Sequence, residues 1–121
     1  MEIHLESTES HTIRSYSDQS ILVGQTTLEQ SCIISQQTIQ TTWPIRHLNE
    51  LMNPDLVAAV LQYHPEVIII GHAGPSQFLP NLASELSRQR IGLECMSIGA
   101  ACRTFNVLLS EGRNVVLGII F

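Results

Sequence analysis

Two short stretches of this 121-residue chain hold the side chains that could do chemistry. The first runs Ala101-Cys102-Arg103-Thr104-Phe105-Asn106 and continues to Ser110-Glu111-Gly112-Arg113. Near the start of a helix, Cys102 beside Arg103 is a candidate reactive thiol, because the helix dipole and a neighbouring cation both favour a thiolate. A nucleophile also needs a base, and no histidine is named by the sequence as its partner. Cys102 falls among the apolar positions of the helix, which suits a buried structural cysteine instead. Arg103, Asn106 and Ser110 follow a different stripe at i, i+3 and i+7. That stripe can be a solvated face. It can also be a recognition face, since a guanidinium and a carboxamide one turn apart can read a carboxylate, a phosphate or a partner's backbone.

The second stretch is Gly71-His72-Ala73-Gly74, a turn expected at the carboxyl end of a buried strand, where open α/β sheets bind ligands. Gly71, His72 and Gly74 are therefore candidate binding residues together with Arg103 and Asn106. The turn has neither the GxGxxG nor the GxxxxGK[ST] spacing of the phosphate-binding loops, so no nucleotide or other cofactor is implied. The five histidines and three cysteines lack the close spacings that zinc ligands favour, and no metal site is expected. No catalytic set is complete.

The elements that must position these groups fall into two textures. Residues 11 to 42 carry short runs rich in Ser, Thr, Gln and Ile, such as Ser20-Ile21-Leu22-Val23, Cys32-Ile33-Ile34-Ser35 and Thr38-Ile39-Gln40-Thr41, which predict an N-terminal β-meander. Trp43-Pro44 follows, with the single tryptophan closing that layer over the core. From Asn53 the signals turn helical. Asn53 is a good N-cap, Pro54 suits the first helical position, Asp55 complements the dipole, and His64-Pro65 ends the helix. Val67 to Ile70 is an apolar β-branched run of the kind found in strands covered on both faces. A second helix begins near Pro80 and is ended by Gly92, a strand follows over Leu93 to Ser97, and the Cys102 helix runs from about Ala100 to a Gly112 cap. Val115 to Ile120 gives a last strand. On that helix Ala101, Cys102, Phe105, Leu108 and Leu109 form the core face. The expected fold is α/β and three-layer, with a mixed central sheet, helices and an additional N-terminal β-meander layer.

Composition bounds the rest. The length suits a single domain over residues 1–121, with 1–10 as an N-terminal extension. Hydrophobic residues make up 44% and charged residues 14%, which argues for a folded core. The net charge is −5 and there is no lysine, so the basic surface that nucleic acid requires is missing. The apolar runs fall far short of the roughly 20 residues that cross a bilayer. The acidic N-terminus is unlike a secretion signal. These features predict a cytoplasmic protein with free thiols.

Taken in order, "TTWP", "EVIIIGHAG" and "GLECMSIGAACRTFNVLLSEGRNVVLGIIF" resemble a small bacterial and archaeal family of unknown function whose mitochondrial member helps assemble respiratory complex I. The resemblance spans about Ser10 to Phe121 and is most specific over Ala100 to Arg113. It implies a three-layer α/β fold with extra N-terminal strands. It also implies a non-enzymatic protein-interaction or assembly module with a protein partner. His72 departs from the small or hydroxyl residue that relatives carry between the glycines. The alternative is a small-molecule-binding protein or enzyme with a pocket near the Gly71 turn and the start of the Ala100 helix.

Overall fold

The computed structural model describes residues 11–74 and 79–121. The extension assigned to residues 1–10 lies outside them. Among the described residues, eight strands fall into two sheets. The smaller, in the order β1-β2-β3, comprises β1 (Ile13–Tyr16), β2 (Ile21–Val23) and β3 (Thr26–Leu28), all antiparallel. The larger has five strands: β4 (Cys32–Ile34), β5 (Ile39–Gln40), β6 (Val67–His72), β7 (Gly92–Ser97) and β8 (Val115–Ile120), in the order β5-β4-β8-β6-β7. The pairs β6·β7 and β6·β8 are parallel, whereas β4 runs antiparallel to β8. The sheet is therefore mixed, as expected. The N-terminal meander is shorter than the sequence texture suggests, because β4 and β5 leave it and extend the main sheet. Cys32-Ile33-Ile34 is buried on both faces and can only be accommodated inside a layered sheet.

Three helices among the described residues cover the main sheet, α1 (Pro54–Leu61), α2 (Pro80–Arg88) and α3 (Ile98–Ser110), with a 3-10 turn over Leu48–Met52. Alternation along the strands divides the core. Ile69, Leu117 and Ile119 face α3, packing on Ala101, Cys102 and Phe105. Ile68, Ile70, Val116 and Ile120 face the other way, toward Trp43, Val60, Leu82 and Leu86. Ile13, Ile21, Val23 and Leu28 share the core of the α3 side. The small sheet thus packs against α3 on this side of the main sheet, as the additional N-terminal layer expected. Trp43 is buried under α1, donating its indole N–H to the Leu56 carbonyl.

Several boundaries follow local chemistry. Asn53 caps α1 by accepting the Asp55 amide, with Pro54 at the first helical position. That helix ends at Leu61, earlier than His64-Pro65, and His64 takes the left-handed conformation at φ 53°. After α2 the left-handed residue is Arg90 at φ 64°, whose amide and that of Ile91 return to Ser87 and Leu86. Gly92 instead opens β7. At the end of α3, Gly112 at φ 76° and Arg113 make the same pair of bonds to Leu109 and Leu108.

Candidate functional site

The structure disperses the residues that the sequence put forward. Gly71 and His72 belong to strand β6 and not to a turn, because β7 and β8 both pair with β6 as far as His72. Gly71 faces α3. A Cβ there would lie 2.8 Å from the Ala101 Cβ and 3.2 Å from the Ile98 Cα, so this glycine allows the helix to approach the sheet. Gly74 adopts φ +100° with nothing near its Cβ position, which is a turn requirement.

Arg103 and Asn106 face β1. The Asn106 carboxamide oxygen accepts the Ile13 amide at 2.8 Å, and its nitrogen donates to the Ile13 carbonyl at 3.0 Å. Both bonds fall where the β1·β2 register shifts, so the side chain serves β1 as a further strand would. Arg103 donates to the Tyr16 hydroxyl at 2.6 Å and sits 5.8 Å from the Tyr16 ring centre. Gly99, one turn earlier, makes room for the same tyrosine ring.

Cys102 lies in the core and not at the helix start. With α3 starting at Ile98 on a Ser97 cap, Cys102 stands beyond the first turn and is fully buried. Burial pushes its thiol up to about 12, against the weaker opposite pull of Arg103. Cys32 is likewise pushed up to about 12, by burial and then by Cys102.

One candidate does line a cavity. At the carboxyl ends of β6 and β8, a cavity of about 440 Å³ is bounded by Arg46, His47, Leu48 and Asn49 on one side and by His72, Ala73, Ile120 and Phe121 on the other. Since Gly71 faces α3, the next residue must face the 3-10 turn, and His72 does so beside its ladder partner Ile120. His72 is 5% exposed, its Nδ1 lies 3.2 Å from the Ala73 carbonyl oxygen, and its Nε2 is buried without a hydrogen-bond partner. A carbonyl can only accept, so Nδ1 carries a proton and donates it to Ala73, which leaves Nε2 as the ring atom without a partner in the chain.

The opposite wall is set by Glu50. Its carboxylate accepts the backbone amides of Arg46 at 2.7 Å and His47 at 2.8 Å, which holds the chain that carries both side chains. These two amides, in that order, hold the Glu50 carboxyl below the usual carboxylate range. Arg46, His47 and Asn49 are exposed at the cavity, and no acidic side chain lines it. Arg46, His47 and Asn49 were not singled out by sequence reasoning. The available signal was the Arg-His pair four and three residues before Glu50 in a chain without lysine. No group of three or more metal-ligating side chains occurs among the described residues. No described helix is long and apolar enough to cross a membrane.

The comparisons with known proteins agree with this fold. The profile of the protein family of unknown function DUF498/DUF598 matches residues 13–120, and the chain belongs to that family. A protein of Xanthomonas campestris solved by NMR is 36% identical, with 89% of this chain and 82% of that one covered and a TM-score of 0.79. A Mth938-like domain of Bordetella pertussis, 23% identical over 93% of this chain and 87% of its own, shares the fold with a TM-score of 0.75. A Francisella tularensis protein described as a 13 kDa major membrane protein is 36% identical over 58 residues. That match spans 46% of each chain, so this chain covers about half the length of that relative.

Proposed function

We propose that this member of the DUF498/DUF598 family is a small-molecule-binding domain whose site is the cavity between the end of β6 and the 3-10 turn. The observation that carries the reading is the unpartnered Nε2 of His72. A buried polar atom without a partner costs about 1–3 kcal/mol, and a polar group entering the cavity would relieve it. The volume lies in the range of ligand pockets, and the mouth at the strand ends is where α/β sheets bind ligands. Free thiols at Cys32, Cys95 and Cys102 suit a cytoplasmic setting for this role.

The test is a titration of the labelled protein with small acids, phosphates, alcohols and amides, following the His72 ring and the amides of Ala73, Ile120 and Phe121 by NMR. Saturable shifts at these positions are expected for some compounds. If no compound moves them at millimolar concentration, the reading fails.

A second reading, the protein-interaction or assembly module, draws on the α3 surface and on the family resemblance to a complex I assembly factor. Val107 is 55% exposed and Tyr16 40%, and both adjoin Arg103, on the next turn of α3 and across its hydrogen bond. An apolar side chain beside a stacked arginine suits a small protein contact. Silence of the cavity in the titration would favour this face.

A further inference from the structure

Resting on the cavity being a ligand site, we infer that its ligand carries an anionic group next to a hydroxyl or N–H donor, the chemistry of a 2-hydroxycarboxylate. Two walls specify the two halves. On the β6 side the His72 ring gives its Nδ1 proton to Ala73 and leaves Nε2 buried with no partner in the chain. An uncharged imidazole accepts at that nitrogen, so the group that satisfies it donates. A bare carboxylate would face that lone pair with another acceptor. On the opposite side stands Arg46. Among the described residues its guanidinium has no hydrogen-bonded acceptor, and Glu50 spends its Oε1 on the backbone amides. Elsewhere Arg88 is paired with Glu85, Arg113 with Glu66, Arg103 with Tyr16 and Arg14 with the Gly24 carbonyl, while Arg90, which lines no part of this cavity, is like Arg46 without an acceptor among the described residues. A chain of net charge −5 therefore presents a cation at a cavity that no acidic side chain lines, a setting that favours a carboxylate or phosphate. His47 and Asn49 add polar groups at the same mouth. The space left beyond such a headgroup is bounded by Leu48, Ile120 and Phe121, which suits an apolar extension.

Three probes separate the halves: lactate, propionate without the hydroxyl, and lactamide without the charge. Titrations followed at the His72 ring and by calorimetry are expected to show propionate about tenfold weaker than lactate, the size of one unmade hydrogen bond to a buried group. Lactamide is expected to be a few-fold weaker, with that gap closing in about 1 M sodium chloride. The gap should also close in Arg46→Gln, an exposed change that leaves the fold intact. Equal binding of lactate and propionate overturns the donor half, and equal binding of lactate and lactamide overturns the anion half. If neutral fragments bind while none of the three probes does, the inference falls and the cavity remains a ligand site. If nothing binds, both fall.

Discussion

The carboxamide of Asn106 meets both backbone groups of Ile13, ninety-three residues away in the chain, and this decides what the polar stripe of α3 is for. A helical projection shows Arg103, Asn106 and Ser110 on a face that leaves the sheet, and from that projection solvent and a partner are the natural readings. What the projection cannot show is that the small sheet lies beside α3, with the edge of β1 needing a neighbour. An amide carries one donor and one acceptor at the spacing of a backbone unit, so it can serve that edge where lysine or glutamate could not. Asn106→Ala leaves an amide and a carbonyl of Ile13 unpaired in a half-buried position. It is expected to destabilise the protein by about 1–3 kcal/mol in denaturant melts. Arg103→Ala, which loses an exposed bond to a tyrosine hydroxyl, is expected to cost less than about 1 kcal/mol. Neither change should alter binding at the His72 cavity, and a loss of lactate binding in Asn106→Ala at full folding would contradict the separation of the two places. Cys102 teaches a related lesson. Its neighbour Arg103 is real, but the apolar face already visible in the sequence outweighs that cation.

Among the elements, the contact of α3 with β6 depends on a residue that sequence reading assigned to a turn. A methyl on Gly71 would stand 2.8 Å from the Ala101 Cβ and 2.9 Å from the Ile119 Cδ1. The Ile98 Cα at 3.2 Å leaves no route around them on the helix side. The side chain of Ile119 could give way, but α3 could not without moving as a whole. Gly71→Ala is therefore expected to cost about 1–3 kcal/mol, the usual range for overpacking. A cycle with Ala101→Gly should show the two changes to be less than additive, since each removes or supplies one side of the same clash. Simple additivity would mean that α3 does not sit on Gly71. The elements themselves were largely legible. Asn53-Pro54-Asp55 marks the start of α1, the unbroken Val67 to Ile70 run marks a strand covered on both faces, and β8 agrees to the residue. The pairing was less so. Nothing local tells Cys32–Ile34 to leave the meander and pair antiparallel with β8, because that choice is made by burial on both faces in the assembled molecule. The cavity was half legible. The strand end at His72 follows from the β6 run, whereas Arg46 and His47 reach it only through a short turn held by Glu50, which has no helical periodicity to announce it.

At the scale of the whole molecule, ionisable groups hold opposite ends of the stability profile. On the acid side, Glu66 precedes β6 and receives the Arg113 side chain and the Asn114 amide from the segment before β8. The Arg113 bond first, and then the backbone, hold its carboxyl below the usual range, as the Arg46 and His47 amides do for Glu50. A folded-state value below the unfolded one means that these contributions are present above the unfolded carboxylate value, about 4.3. They are lost as pH falls through the folded values. On the alkaline side the sign reverses. Burial pushes Cys32 and Cys102 up to about 12 and Cys95 up to about 11, while unfolded thiols titrate near about 8.5. Between those values the unfolded chain releases protons that the folded chain keeps, so stability must fall as pH rises from about 8.5 toward 11. Melting temperatures under reducing conditions are expected to be highest between about pH 5 and 8 and to decline on both sides. Glu66→Gln should flatten the acid limb, since the remaining amide cannot lose a charge. Cys32→Ala with Cys102→Ala should lower the plateau by removing buried sulfur, yet make the alkaline limb shallower because two of the three thiols that hold their protons are gone. A parent protein whose melting temperature stays level from pH 8 to about 10.5 would show Cys32 and Cys102 to be reachable by solvent in the folded state, against their placement between α3 and the main sheet.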